Sequence, residues 1–211
     1  MARRSRSRVL LLGPWLLALC LALPLLGALG CKKSEAAQAL PQLGAVGPFW
    51  LTDQDGRSFS EQSLAGKVWV AAFMFTRCPS ICPEMTRRMR ALQEQAQARD
   101  LKLHFVSFSV DPENDTPEVL RRFAAQYGAD TRSWSFLTGD NRVIRDAAEH
   151  GFKISVDGQA DPGAANMGIT HGTHLVLLDG AGTIRGYYQS SEPEKLKQLL
   201  EDAAALLSSN S

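Results

Sequence analysis

The chain reads as an α/β protein: a mixed sheet flanked by helices, with a β-hairpin before the sheet's core and another late in the chain. Three observations predict this. The run Val68-Trp69-Val70-Ala71-Ala72-Phe73-Met74-Phe75 is apolar at every position, as in a strand covered on both faces. Short apolar runs then alternate with amphipathic helical patterns, the signature of parallel strands joined by crossover helices. Turn residues flanked by apolar runs near both ends predict the hairpins.

At the N-terminus, Arg3, Arg4, Arg6 and Arg8 precede an apolar stretch, 9–29, broken by Gly13, Pro14, Pro24 and Gly27. A charged start, an apolar stretch and small residues before a break read as a secretory signal. Ala28-Leu29-Gly30-Cys31 resembles a bacterial lipobox, in which the Cys is lipidated and becomes the mature N-terminus. The alternative is an uncleaved signal anchor, since the stretch is just long enough to span a bilayer. Either places the following domain outside the cytoplasmic membrane, facing the periplasm or beyond. Lys32 follows Cys31, so the acidic inner-membrane retention signal of some lipoproteins is absent. The expected organisation is a lipoprotein signal peptide over 1–30, a flexible tether rich in Ala, Gln and Gly over 31–47, and one domain over 48–211. Four of the 23 basic residues and none of the 22 acidic ones fall in 1–30, so the rest carries 19 against 22. No basic stretch is interleaved with aromatics, which argues against nucleic acid as a partner. Cys20 lies in the apolar stretch, Cys31 ends it, and Cys78 and Cys82 belong to the domain. One pair is no disulfide framework, and the domain is too large to need one.

Within the domain, 49–51 and 57–59 flank Asp53-Gln54-Asp55-Gly56, a hairpin signal. After the buried strand, 84–99 carries Met85, Met89, Leu92 and Ala96 at helical spacing. Met thioethers are soft ligands, but so regular a stripe reads as core packing. Residues 101–110 form a second strand, with His104 on its half-exposed face. Thr116 and Pro117 suit the N-cap and first position of a helix whose stripe is Val119, Leu120, Phe123 and Tyr127, and Gly128 stops it. A short strand at 134–137 precedes a helix over 141–150, where His150 answers the helix dipole. The stretch 151–170 reads as a polar, irregular loop, functional or mobile by its length. A hairpin follows through Gly180-Ala181-Gly182, and a helix over 191–207 closes the chain. Ser191 and Glu194 are its capping box, and Leu196, Leu199, Leu200, Ala203 and Leu207 its apolar stripe. The whole is a thioredoxin-like plan.

The chemistry centres on Phe75-Thr76-Arg77-Cys78-Pro79-Ser80-Ile81-Cys82-Pro83. Pro83 suits the first position of a helix, which puts Cys82 at or beside the N-cap and Cys78 in the turn. A helix N-terminus favours thiolate over thiol. Two thiols around one tight turn can share a metal or form a disulfide. The pair is therefore a redox couple, part of a soft-metal site, or a structural disulfide. Asp111, at the end of the second strand, is expected near them, as a carboxylate supporting the site or as a loop cap. His171 lies just before the late hairpin and His174 just inside its first strand. Three apart on a strand, they point to opposite faces and are not expected to bind one metal together.

Three features together resemble the Sco/SenC family of copper chaperones for cytochrome c oxidase assembly. They are the Cys-x3-Cys-Pro turn after a buried strand, the run Ser109-Val110-Asp111-Pro112-Glu113-Asn114-Asp115-Thr116-Pro117, and a His shortly before a final hairpin with Gly186-Tyr187-Tyr188 in its last strand. The similarity covers 49–207. It implies one copper per chain, Cu(I) or Cu(II), bound by Cys78, Cys82 and His171, the His being eleven residues before Gly182 of the hairpin turn. His174 and Asp111 are then outer-shell candidates. The family often has Asp before the ligand His, where this chain has Thr170. Many members are held by a transmembrane helix, whereas here a lipid anchor at Cys31 would bind the membrane. The implied partner is the copper-site subunit of the oxidase or another copper chaperone. Two thiolates and an imidazole suit copper, while a closed zinc site wants a fourth ligand. The competing function is thiol–disulfide reduction of copper-site cysteines. Typical thioredoxins have Cys-x2-Cys facing a cis-Pro, where this chain has an added residue and His171.

Overall fold

The computed structural model describes residues 40–157 and 170–209; of 157, 170 and 171 it describes the backbone. The strands are β1 (Trp50–Asp53), β2 (Ser58–Ser60), β3 (Val68–Met74), β4 (Leu103–Ser109), β5 (Trp134–Thr138), β6 (Val156–Asp157), β7 (Thr170–His171), β8 (His174–Leu178) and β9 (Ile184–Gln189). The helices are α1 (Ile81–Ala98), α2 (Pro117–Gln126), α3 (Asn141–Asp146) and α4 (Pro193–Ser209). Among the described residues, seven strands form one sheet in the order β2-β1-β5-β4-β3-β8-β9, and β6 and β7 form a separate ribbon. β3, β4 and β5 run parallel; β8 returns antiparallel against β3, and β1 against β5. This is the thioredoxin-like mixed sheet flanked by helices.

β3 is buried at every position because it has β4 on one side, β8 on the other and cover on both faces. Phe73 stacks on Phe108, and Phe152 meets Trp69, Phe73 and Phe108 edge-on at 5.2–5.9 Å, centring the core on β3 and β4. The early hairpin turns as expected. Asp53 Oδ1 accepts the N–H groups of Asp55 and Arg57, and Gly56 supplies the positive φ, +78°. Thr116 caps α2 by accepting the Val119 N–H, Pro117 opens it, and Gly128 follows its C-cap at φ +66°.

Several expectations are corrected. α1 begins at Ile81 with Ser80 as N-cap, so Cys82 and Pro83 lie inside its first turn. The sequence placed the start too late because Pro is tolerated wherever the N–H has no intrahelical acceptor, and that holds through the whole first turn. α4 begins at Pro193, and its buried stripe ends on Leu206 rather than Leu207. The helix expected over 141–150 is α3 followed by a π-helical turn, Ala147–Gly151. The stretch 151–170 is irregular over 152–155, as expected, but it is not a surface loop there: Phe152, Ile154 and Val156 are buried, and β6 pairs with β7 through Val156 and His171. Residues 40–47, within the expected tether, lie along the late hairpin. Leu43 N–H donates to the Ile184 carbonyl, Val46 N–H to that of Gly182, and Arg185 to the Leu40 and Pro41 carbonyls. Among the described residues no helix is long and apolar enough to cross a membrane.

Candidate functional site

β3 and β4 are parallel and in register from Val68↔Leu103 to Met74↔Ser109. The segments leaving their C-terminal ends therefore leave side by side, the position where open α/β sheets form sites. One segment carries Cys78 and leads into Cys82; the other carries Asp111 and Asp115.

The cysteine turn is closed by the Cys78 N–H donating to the Phe75 carbonyl at 3.3 Å. Neither thiol is in a disulfide. Cys78 Sγ accepts the Cys82 backbone N–H at 3.5 Å, lies 3.8 Å from Ser80 Oγ, and hydrogen-bonds the Cys82 side chain. Cys78 is 7% exposed and Cys82 is fully buried. Burial alone would raise the Cys78 thiol, but the hydrogen bonds from Cys82 and Ser80 outweigh it and leave the pKa below the free-thiol value. Cys82 is pushed far up, first by burial, then by Cys78 and the Asp115 charge, against one opposing backbone hydrogen bond at Phe75. The helix N-terminus thus activates Cys78 through the Cys82 N–H, not Cys82 itself.

Asp111 lies beside this turn, but its contact is with Arg77. Its Oδ2 accepts from Arg77 Nε at 3.1 Å and Nη2 at 2.8 Å, and its Oδ1 accepts from Asn114 Nδ2 at 2.8 Å. It also holds its own loop, its carbonyl accepting the N–H groups of Asn114 and Asp115. The loop-capping role expected of it is present, and its carboxylate holds Arg77, the residue before Cys78. The carboxylate acting most directly on the turn is Asp115, which the sequence reading did not single out. It is fully buried; it accepts from the Thr76 N–H at 3.0 Å, and from the hydroxyls of Thr76 and Ser109. Burial raises its pKa against those hydrogen bonds, and Asp111 adds to the rise. The available signal was the four-residue spacing of the two Asp, which lets one turn bring both back under the neighbouring loop.

His171 has its backbone in β7, opposite Val156, and its side chain lies outside the described residues. His174 opens β8, exposed, opposite Gln189. The two are thus on different ribbons. Cys31 lies outside the described residues. Among the described residues no three His, Cys, Asp or Glu side chains form a ready metal cluster. The pair of hydrogen-bonded thiols at one turn nevertheless fits a soft ion, which binds thiolate in preference to carboxylate.

Comparison with known proteins places the chain in a family. The SCO1/SenC family model matches residues 37–208. The SCO1 protein homolog of Bacillus subtilis is 46% identical over 158 residues, covering 74% of this chain and 80% of its own. A SCO1/SenC family lipoprotein of Bacillus anthracis superposes with a TM-score of 0.71 at 37% identity, over 77% of this chain and 95% of that one. BsSco, described as having a disulfide switch and as a member of the Sco family of cytochrome c oxidase assembly proteins, gives 0.67 at 34%, over 78% and 94%. ScoI of Bradyrhizobium japonicum, solved with copper bound, shares the fold at 0.61 and 24%, over 77% and 99%. With a family model spanning most of its length and a relative of this identity, the chain belongs to the SCO1/SenC family.

Proposed function

We propose that this chain is a membrane-tethered, extracytoplasmic copper chaperone that binds one copper ion through Cys78, Cys82 and His171 and delivers it to the copper site of cytochrome c oxidase. The observation that carries the reading is the thiol pair. Two cysteines not joined by a disulfide sit at one strand-to-helix turn, one of them with its thiolate stabilised. Copper supplies a cation that both sulfurs and an imidazole can ligate, and thiolate ligands hold Cu(I) without a third partner. Membership of the family, copper in one solved relative and oxidase assembly in the description of another support it. Tethering rests on Cys31 after the apolar leader, which we propose is lipidated after removal of 1–30.

Copper titration of the reduced, detergent-extracted full chain tests the ligand set. We expect one tightly bound ion. His171→Ala should weaken Cu(II) much more than Cu(I), and His174→Ala should do little. The reverse order of the two His variants would overturn the assignment. Mass spectrometry of the extracted protein should find a diacylglyceryl N-terminus at Cys31; a chain starting near Met1 would replace the lipid with a signal anchor.

The unequal thiols favour a second reading, reduction of copper-site disulfides in the acceptor. Cys78 thiolate would attack one substrate sulfur and form a mixed disulfide. That attack releases the other substrate sulfur; Cys82, once deprotonated, would then attack Cys78 Sγ and release the sulfur held in the mixed disulfide, leaving Cys78–Cys82 oxidised and in need of an external dithiol reductant. Copper and the disulfide exclude each other, because the metal binds thiolate. Efficient disulfide turnover by metal-free protein, unchanged in His171→Ala and without copper transfer, would promote this reading over the first.

A further inference from the structure

The proposed ligands come from two segments far apart in the chain. The thiols sit at the start of α1, and His171 sits on β7, just before β8. One side chain links these regions. Arg88, further along α1, donates from Nε to Glu84 Oε1 at 2.8 Å and from Nη1 to the Ser190 carbonyl at 2.5 Å. Ser190, at the end of β9, is buried, and its N–H donates to the Thr173 carbonyl at 3.1 Å. Thr173 Oγ1 in turn donates to Gln189 Oε1 at 3.0 Å. Glu84 is two residues after Cys82, and Thr173 two after His171. On the helix side, Thr86 Oγ1 donates to the Cys82 carbonyl at 2.8 Å, tightening the same turn. The contacts form a continuous path from the cysteine turn through Glu84, Arg88, Ser190 and Thr173 to the segment of His171.

We infer that Arg88 is a positioning residue for the copper site: it braces the helix bearing Cys82 against the Thr173–Ser190 junction and so sets the separation between the thiols and His171. This rests on the reading of Cys78, Cys82 and His171 as the copper ligands. The guanidinium suits the task because it is planar, holds its charge at every accessible pH, and aims its donors at fixed angles. The side chain is 29% exposed, so it is partly shielded from water. The pairing with Glu84 alone would be an ordinary helix-surface contact. The bond to Ser190 is different, since it crosses to another element and accepts no substitute from within α1.

The test uses the full reduced chain in detergent and two readouts. Cu(II) binding is followed by the thiolate-to-copper charge-transfer band and by nitrogen hyperfine structure in electron paramagnetic resonance. Cu(I) binding is followed by competition with a colorimetric Cu(I) chelator. Arg88→Met keeps the apolar stem and removes the donors. It should weaken Cu(II) about tenfold, as losses of supporting contacts around metal ligands typically do, and change Cu(I) by less than about twofold, because two thiolates suffice for that ion. Arg88→Lys should fall between Arg88→Met and wild type. In a His171→Ala background, Arg88→Met should have no further effect on Cu(II), since it acts through that His. If Arg88→Met folds poorly in thermal melts, Arg88→Gln, whose shorter side chain cannot reach the Ser190 carbonyl, supplies the same test. Equal losses of Cu(I) and Cu(II), a silent Arg88→Met, or an added loss in the His171→Ala background would each overturn the brace. A His171→Ala variant with unaltered Cu(II) binding would overturn the ligand assignment and the brace with it. A strong His171→Ala effect beside a silent Arg88→Met overturns the brace alone.

Discussion

Cys78 Sγ receives the Cys82 N–H and lies near the Ser80 hydroxyl, whereas Cys82 is enclosed by core and faces the charge of Asp115. The first thiol should therefore react before the second. Alkylation of the reduced, metal-free chain should modify Cys78 first, with a pH midpoint below that of the same thiol in the unfolded chain, while Cys82 stays unmodified until the domain opens. Equal rates at the two positions, read by peptide mass spectrometry, would contradict the electrostatic asymmetry. Asp115 makes the second prediction at this scale. Truncating it in Asp115→Ala strands the half-buried Thr76 N–H and two hydroxyls, and should cost about 1–3 kcal/mol in urea unfolding; a loss under about 0.5 kcal/mol would mean that water replaces the carboxylate. The cysteines were legible in the sequence because few residue types do their chemistry. Asp111 and Asp115 were not separable there. Both are acids in one turn, and only the fold of that turn aims Asp111 at Arg77 and Asp115 at Thr76.

Among the elements, β4 carries a group whose protonation opposes folding. His104 is half-buried, with Nε2 3.2 Å from Ser135 Oγ, and burial, aided by Lys67, lowers its pKa from 6.5 to about 4. A lowered pKa means that the neutral imidazole is favoured in the fold. Its contribution is complete above the unfolded value near 6.5 and is lost as pH falls toward 4. The shift corresponds to about 3 kcal/mol at most, or about 2 kcal/mol once partial exposure is allowed for. Unfolding free energies measured from pH 7 to pH 4 should fall by that much more in wild type than in His104→Gln, which keeps a partner for Ser135. Parallel pH curves would refute the assignment. The elements themselves were largely legible, since β3 is apolar on both faces and the α2 caps are residues with one purpose. The burial inside the expected loop had a signal too: in Phe152-Lys153-Ile154-Ser155-Val156 the apolar residues alternate with polar ones, and they are the buried three.

At the scale of the whole molecule, the chain joins its domain at the pole opposite the cysteines. Leu178 pairs with Trp69 near the start of β3, so the β8–β9 turn lies at that end of the sheet. The cysteine turn leaves the other end, about 23 Å away for a strand of seven residues. Leu40 to Val46 docks against the late hairpin near its turn, clamped by Arg185. That side chain is 9% exposed and donates Nε to the Pro41 carbonyl at 2.9 Å, Nη2 to the Leu40 carbonyl at 2.8 Å and Nη1 to Asp179 Oδ2 at 3.0 Å. Composition alone could not reveal the clamp, because its acceptors are backbone carbonyls that any residue offers. The consequence is a domain boundary earlier than Gly47. A chain starting at residue 42 deletes two acceptors of a buried cation, and should be less stable than one starting at residue 38 by about 1–3 kcal/mol. The urea slope should be unchanged, because the same core unfolds. Since the clamp and the cysteine turn occupy opposite ends of β3, both chains should bind copper with the same affinity. Equal denaturation midpoints would show that residues 40 and 41 are only tether, and a copper affinity that fell with the truncation would show that the two poles are coupled.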